Sequence, residues 1–138
     1  MSGHAGKFLP RSHPGTQAYW DACRRHEFII QQCGDCGTHQ FYPRIFCTSC
    51  ASSAVAWVPA SGHGKVLTWT VLQRAVSSAY AADTPYIIAL IELREGPVLM
   101  SKVCGCEAGS VYTGMPVEVS FEDWSDEISM PVFVVASG

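Results

Sequence analysis

The chain has 138 residues, 48% hydrophobic and 15% charged, with a formal net charge of −3. It holds enough apolar material for one ordinary domain or two small modules, and too much for a disordered chain. No apolar run reaches the roughly 18 residues of a bilayer span, and nine Lys and Arg make no basic stripe for a nucleic-acid backbone.

Residues 1–15 are rich in Gly, His, Ser and Pro and are expected to lie loosely over the surface. They lack the apolar stretch of a secretory signal, so a cytoplasmic protein is the expectation. From Thr16 to Phe28 the sequence reads as a short helix with Thr16 as N-cap. Tyr19, Cys23 and His26 fall on one face, with Trp20 beside it, so core packing or docking is expected there. Short β-prone runs follow at Phe28–Gln31, Gln40–Tyr42 and Val55–Val58. A boundary falls near Ala60-Ser61-Gly62.

Beyond it, Thr68–Leu72 is strongly β-prone, and Tyr86–Leu93 is apolar on both faces, as in a central strand. Glu95-Gly96-Pro97 punctuates a hairpin into Val98–Val103. Val117, Val119 and Phe121 alternate with Glu118, Ser120 and Glu122, as in a half-buried strand, and Val132–Val135 closes the series. Five strands in about 75 residues, with no strong helix between them, argue for a small barrel.

Cysteine carries the clearest chemistry. The spacing Cys33-x2-Cys36-x10-Cys47-x2-Cys50 supplies two pairs of soft ligands for one tetrahedral Zn²⁺ and predicts a zinc ribbon. Iron or free thiols are the alternatives. Four thiolates and one Zn²⁺ would take the formal charge from −3 to about −5. Gly37 follows the second cysteine, where a zinc knuckle often needs positive φ. Ala51 holds the equivalent place after Cys50, where positive φ would cost roughly 1–2 kcal/mol, so the second knuckle is expected to be slightly different or strained. His39 is read as a surface or packing residue. A site of four cysteines leaves no open position for substrate, so the metal is expected to be structural.

Other features point away from self-sufficient catalysis. Gly62-His63-Gly64-Lys65 lacks the Ser or Thr and the first glycine of a phosphate loop, because Val66 and Pro59 stand there. It reads as a flexible lead into the first barrel strand. Glu122, Asp123, Asp126 and Glu127 around Trp124 read as a solvated acidic loop. Cys104-Gly105-Cys106 has the wrong spacing for a knuckle or a redox pair, so strand-end packing or a reactive thiol are its readings, and Cys23 is a buried helix residue. There is no nucleophile elbow or H-E-x-x-H.

The order of these features is specific. Tyr19-Trp20 leads into Cys33-Gly34-Asp35-Cys36-Gly37, Phe41-Tyr42-Pro43-Arg44 and Cys47-Thr48-Ser49-Cys50. After Trp57 come Ser61-Gly62-x-Gly64, Thr68-Trp69-Thr70, Pro85-Tyr86, Glu95-Gly96-Pro97 and Gly114-Met115-Pro116-Val117. This resembles the family of zinc-ribbon plus OB-fold proteins associated with acyl-CoA enzymes, over nearly all of residues 16–136. Thr48, Ala51 and the Cys104/Cys106 pair depart from its pattern without touching the four cysteines.

The resemblance implies a mainly β chain with an N-terminal helical segment (1–27), a rubredoxin-like zinc ribbon (28–60) and a five-stranded OB-fold barrel (61–138). It also implies an accessory subunit that works beside a thiolase-like catalytic enzyme in a hetero-oligomer. Such complexes perform thiolysis, retro-aldol cleavage of steroid side chains or acyl transfer, and some members are attached to hotdog-fold hydratases. The partner carries the chemistry, while this subunit stabilises it and helps shape the acyl-CoA channel.

The loop Gln73–Thr84 is long for a hairpin connection, in the range where loops often carry function. Its Tyr80 is a candidate cover for a CoA pantetheine arm or contact for a partner, and Arg74 a candidate ligand for a CoA phosphate. A solvent-exposed loop is the alternative. Arg44 is a further candidate anion contact. Neither nucleic acid nor membrane is an expected partner, although zinc ribbons and OB folds often bind nucleic acid and keep that module as the competing function. A thiol enzyme using Cys104 or Cys106 is the third.

Overall fold

A computed structural model describes residues 7, 9–11, 13–74 and 77–136. The expectations for the first 15 residues at positions 1–6, 8 and 12, and for the long loop at 75 and 76, lie outside the described residues.

Helix α1 spans Gln17–Arg24 and buries Tyr19, Ala22 and Cys23. Thr16 is the N-cap but makes no side-chain capping bond. Its hydroxyl and amide instead donate to the His13 carbonyl. The helix stops short of the expected Phe28 because His26 adopts φ +58. The His26 N–H donates to the Cys23 carbonyl and the Glu27 N–H to the Ala22 carbonyl, closing a Schellman motif with histidine in the usual glycine place. His26 therefore leaves the helical stripe. Its ring stacks on Phe121 at 5.1 Å and 11°, and its Nε2 lies 2.7 Å from Asp123 Oδ1. That contact ties the end of the helix to the barrel.

A three-stranded antiparallel sheet follows, with β1 (Ile29–Cys33) between β2 (His39–Gln40) and β3 (Val55–Pro59). Phe41 leaves the sheet, so the expected run to Tyr42 ends at Gln40. The segment beyond it is organised by two buried glutamines. Gln40 Nε2 donates to Gln31 Oε1 (2.8 Å) and to the Phe46 carbonyl (3.3 Å). Gln40 Oε1 accepts the Thr48 N–H, and Gln31 accepts the Arg44 N–H while donating to its carbonyl. Buried amides with every arm occupied fix a loop that has no ladder of its own.

The rest of the chain closes into a barrel of β4 (His63–Leu72), β5 (Tyr86–Leu93), β6 (Val98–Cys104), β7 (Pro116–Asp123) and β8 (Ser129–Val135), in the order β4-β5-β6-β8-β7. β6 and β8 are parallel and every other pair is antiparallel. β4 serves two neighbours and carries a bulge between Val66 and Thr68. The glycine-rich lead into it is a tight packing point. A Cβ on Gly64 would meet the Glu92 carbonyl oxygen at 2.7 Å, so the glycine permits close approach of β5, and the expected flexibility is absent.

Two strand patterns also differ from expectation. β5 buries Ile87, Ala89, Ile91 and Leu93 inside the barrel, while Leu90 on its outer face is exposed. On β7 the polar Glu118, Ser120 and Glu122 are half-buried like Val119 and Phe121, because other segments pack against the outside of the strand. Glu122 bonds Lys102 and the Trp124 indole, and Asp123 bonds His26 and Ser129. The acidic cluster is thus a pair of strand-held acceptors followed by exposed Asp126 and Glu127, rather than one solvated loop.

One apolar core joins all three parts. Tyr19 of α1 meets Phe41 edge-on (5.7 Å), Phe41 meets Phe28 (6.0 Å), and Phe28 meets Phe133 of β8 edge-on (6.2 Å). Lys7, expected on a loose surface segment, has a fully buried side chain whose Nζ lies 2.6 Å from Asp83 Oδ2. It sits over the rings of Tyr80 and Trp124, at 5.6 and 5.2 Å from their centroids.

Candidate metal centre and apolar cleft

The turn after β1 carries Cys33 and Cys36, and the turn before β3 carries Cys47 and Cys50. The two are built alike. The Gly37 N–H donates to the Cys33 carbonyl (3.0 Å) at φ +77, and the Ala51 N–H to the Cys47 carbonyl (2.9 Å) at φ +64. Ala51 is left-handed, so the second knuckle repeats the first and is strained rather than different.

Each turn also points amides at its first sulfur. Cys33 Sγ accepts from Asp35 (3.4 Å) and Cys36 (3.5 Å), and Cys47 Sγ from Ser49 (3.3 Å) and Cys50 (3.4 Å). Ser52 Oγ bonds Asp35, bracing one knuckle on the other.

These turns bring the four sulfurs within 4.8 Å of one another, with Cys33–Cys50 at 3.6 Å and Cys36–Cys47 at 3.5 Å. A tetrahedron with Zn–S bonds of about 2.3 Å has edges near 3.8 Å, so the donor set fits zinc in number, softness and spacing. The electrostatics suit a thiolate site. The Cys33 thiol is held below its usual range by the Cys36 and Asp35 amides. Thr38 pulls Cys36 down to about 6. Cys50 is pushed up to about 12: the Ser52 amide pulls it down, but the sulfurs of Cys33 and Cys36 outweigh it. A cation removes that mutual repulsion.

An apolar cleft of about 530 Å³ is bounded by α1, the ribbon loop and the barrel. Trp20, Phe41, Ile88, Leu99, Met130 and Trp124 supply much of its wall. It lies along the barrel seam with the fewest paired residues, because β6 and β8 pair only at Val103–Phe133 and Cys104–Val134. Toward their N-termini Pro131 offers no N–H, and the seam is bridged by Ser101 Oγ donating to the Pro131 carbonyl (3.4 Å). The Met100 N–H turns instead to Tyr42 Oη of the ribbon (3.3 Å).

The structure places the other sequence candidates as follows. Tyr80 lies on the short 3-10 helix Ser78–Asp83 and lines the cleft. The Arg74 and Arg44 side chains are exposed and do not line it, and Arg44 Nη1 donates to the Pro43 carbonyl. His39 is half-buried on β2. Cys104 ends β6, its thiol pushed up to about 11 chiefly by burial and lying 3.8 Å from Glu122. Burial likewise pushes Cys23 up to about 11. Neither has the lowered thiol of a nucleophile. Tyr86, Ile88, Met100, Lys102 and Met130 escape a sequence reading as cleft residues because their strands look like ordinary barrel strands. Only Pro131, inside an apolar β run, hints that the sheet does not close there.

Comparison with known proteins agrees with this geometry. The model of the ChsH2 rubredoxin-like zinc ribbon domain matches residues 20–56, and that of the ChsH2 C-terminal OB-fold domain matches 57–122. A DUF35 domain-containing scaffold protein of Methanocaldococcus jannaschii is 32% identical over 127 residues, covering 88% of this chain and 89% of that protein. A probable enoyl-CoA hydratase alpha subunit of Thermomonospora curvata is 32% identical over 117 residues, 84% of this chain. The match is 36% of that protein, so this chain spans little more than a third of its length. Among solved structures, a chain of an Ltp2-ChsH2(DUF35) aldolase superposes with a TM-score of 0.84 at 29% identity, over 94% of this chain and 100% of that one.

Proposed function

The chain belongs to the DUF35 family, in which a ChsH2-type zinc ribbon precedes an OB fold, and from that premise we propose that it is the zinc-clasped accessory subunit of an acyl-CoA enzyme complex. Cys33, Cys36, Cys47 and Cys50 hold one structural Zn²⁺, which when bound supplies folding energy to a segment too short to bury a core. A thiolase-like partner carries the bond-making or bond-breaking chemistry in a hetero-oligomer. This subunit stabilises the partner and helps hold the acyl-CoA substrate. The names of a hydratase alpha subunit and of an aldolase among its relatives support the substrate class.

The observation that carries the reading is the state of the polar groups around the cleft. Lys102 pairs with Glu122, Asp83 with Lys7, and the Ser101 hydroxyl with a carbonyl. Away from the cleft, at the end of β6, the Cys104 thiol is raised rather than activated. Such a surface suits binding better than proton transfer or nucleophilic attack.

The test is reconstitution. The purified zinc-loaded chain is assayed on acyl-CoA substrates alone and with a co-expressed thiolase-like subunit. Turnover that appears only with both supports the reading. Turnover by the isolated chain at the rate of the complex overturns it.

A further inference from the structure

We infer that the cleft between α1, the ribbon and the β6–β8 seam binds the apolar acyl moiety of the thioester, a long alkyl or fused-ring group, rather than the CoA part. This rests on the proposed acyl-CoA role and adds to it which part of the substrate this chain holds, and where.

The volume, about 530 Å³, lies within the range of small-molecule sites, and the wall is aromatic and aliphatic with few polar atoms. A partner helix does not fit inside. One helical turn, about 10 Å across and 5.4 Å long, already occupies on the order of 400 Å³. The cleft is thus filled by little more than one turn. A CoA nucleotide does not suit it either. Its phosphates need unpaired donors, and among the described residues the one cation lining the cleft, Lys102, lies within ion-pair distance of Glu122, at 3.5 Å. What remains is an elongated apolar group.

The site is held open by construction. Pro131 contributes no N–H to the seam, and Tyr42 takes the Met100 N–H that a closed sheet would use. Tyr42 bridges ribbon and barrel, and through it the ribbon fold sets the width of the cleft mouth. The Lys7–Asp83 pair pins the wall where Tyr80 and Trp124 stand.

The experiment is a titration of the zinc-loaded chain with CoA and with octanoyl-, decanoyl- and dodecanoyl-CoA below their micelle concentrations, followed by calorimetry. The expected result is weak binding of CoA itself and about fourfold tighter binding per added methylene along the thioester series. Ile88→Asp places a carboxylate on the wall, and Met100→Trp fills the mouth from a position that is 64% exposed and tolerant of bulk. Either variant, with zinc content and circular dichroism unchanged, is expected to abolish the length dependence. Equal affinity for CoA and all three thioesters overturns the inference, as does length dependence that survives in a folded variant. Failure here with successful reconstitution of turnover leaves the accessory role standing. Length-dependent binding without turnover beside any thiolase-like subunit removes that role and keeps the site.

Discussion

The substitution Ala51→Gly is expected to stabilise the protein, although it removes a methyl group. Ala51 holds φ +64, a conformation costing an L-residue roughly 1–2 kcal/mol, and its side chain is exposed, so little burial is lost. Glycine relieves that cost but adds about 0.4–1 kcal/mol of freedom to the unfolded chain. The net gain is about 0.5–1 kcal/mol. With an unfolding entropy of roughly 2.1 cal/mol/K per residue, 1 kcal/mol corresponds to about 3–4 °C at this chain length. A rise of about 2–4 °C in the melting temperature of the zinc-loaded protein follows.

Gly37 supplies the internal control. It stands at φ +77 in the companion knuckle, and a methyl group added there would meet nothing within 4 Å. Gly37→Ala therefore carries the backbone cost alone and is expected to lower the melting temperature by a similar amount. The double exchange is expected to be nearly neutral. Differential scanning calorimetry in excess zinc reads all three. A lower melting temperature for Ala51→Gly, with zinc content unchanged, refutes the equivalence of the two knuckles.

Gly64→Ala drives a methyl group into the Glu92 carbonyl, which is backbone and has no rotamer to yield, and a loss of about 1–3 kcal/mol is expected by urea denaturation. Gln40→Ala orphans the Thr48 N–H and the Phe46 carbonyl, with an expected loss of about 1–3 kcal/mol and faster amide exchange across residues 41–48. The Asp123 carboxyl, held below its usual range by the Ser129 hydroxyl and then by His26, is expected to titrate below an ordinary aspartate by NMR and to move back up in Ser129→Ala. A depressed carboxyl favours the fold above its ordinary range near pH 4 and loses that contribution as pH falls through its lowered value, so Asp123→Asn is expected to flatten that acid limb.

What was legible in the sequence follows from how far each signal reaches along the chain. Cys33–Cys50 declared itself because a knuckle is four residues long and its ligand spacing is set by local backbone geometry. That equivalence also singled out Ala51, although only the structure decides that its knuckle is strained at positive φ rather than different. The barrel strands were visible because β-prone residues cluster in Tyr86–Leu93 and Val98–Cys104. His26 defeated the helical period because the Schellman turn depends on a contact with Phe121 and Asp123, almost a hundred residues away. Glu122 read as solvated because its partner Lys102 lies on another strand. The cleft was invisible for the same reason. It is assembled from α1, the ribbon loop, β5, β6, β8 and the 3-10 helix, each of which looks ordinary by itself.

A metal–thiolate clasp that gives the ribbon the shape with which it covers the barrel underlies every step from fold to function. Metal content of the purified chain by inductively coupled plasma mass spectrometry, followed by hydrogen exchange before and after chelation, examines it without intermediaries. One zinc per chain is expected, with protection lost first across the four-cysteine segment and then at Tyr42 and the cleft wall. A chain that carries no stoichiometric metal and keeps the same protection in chelator contradicts it.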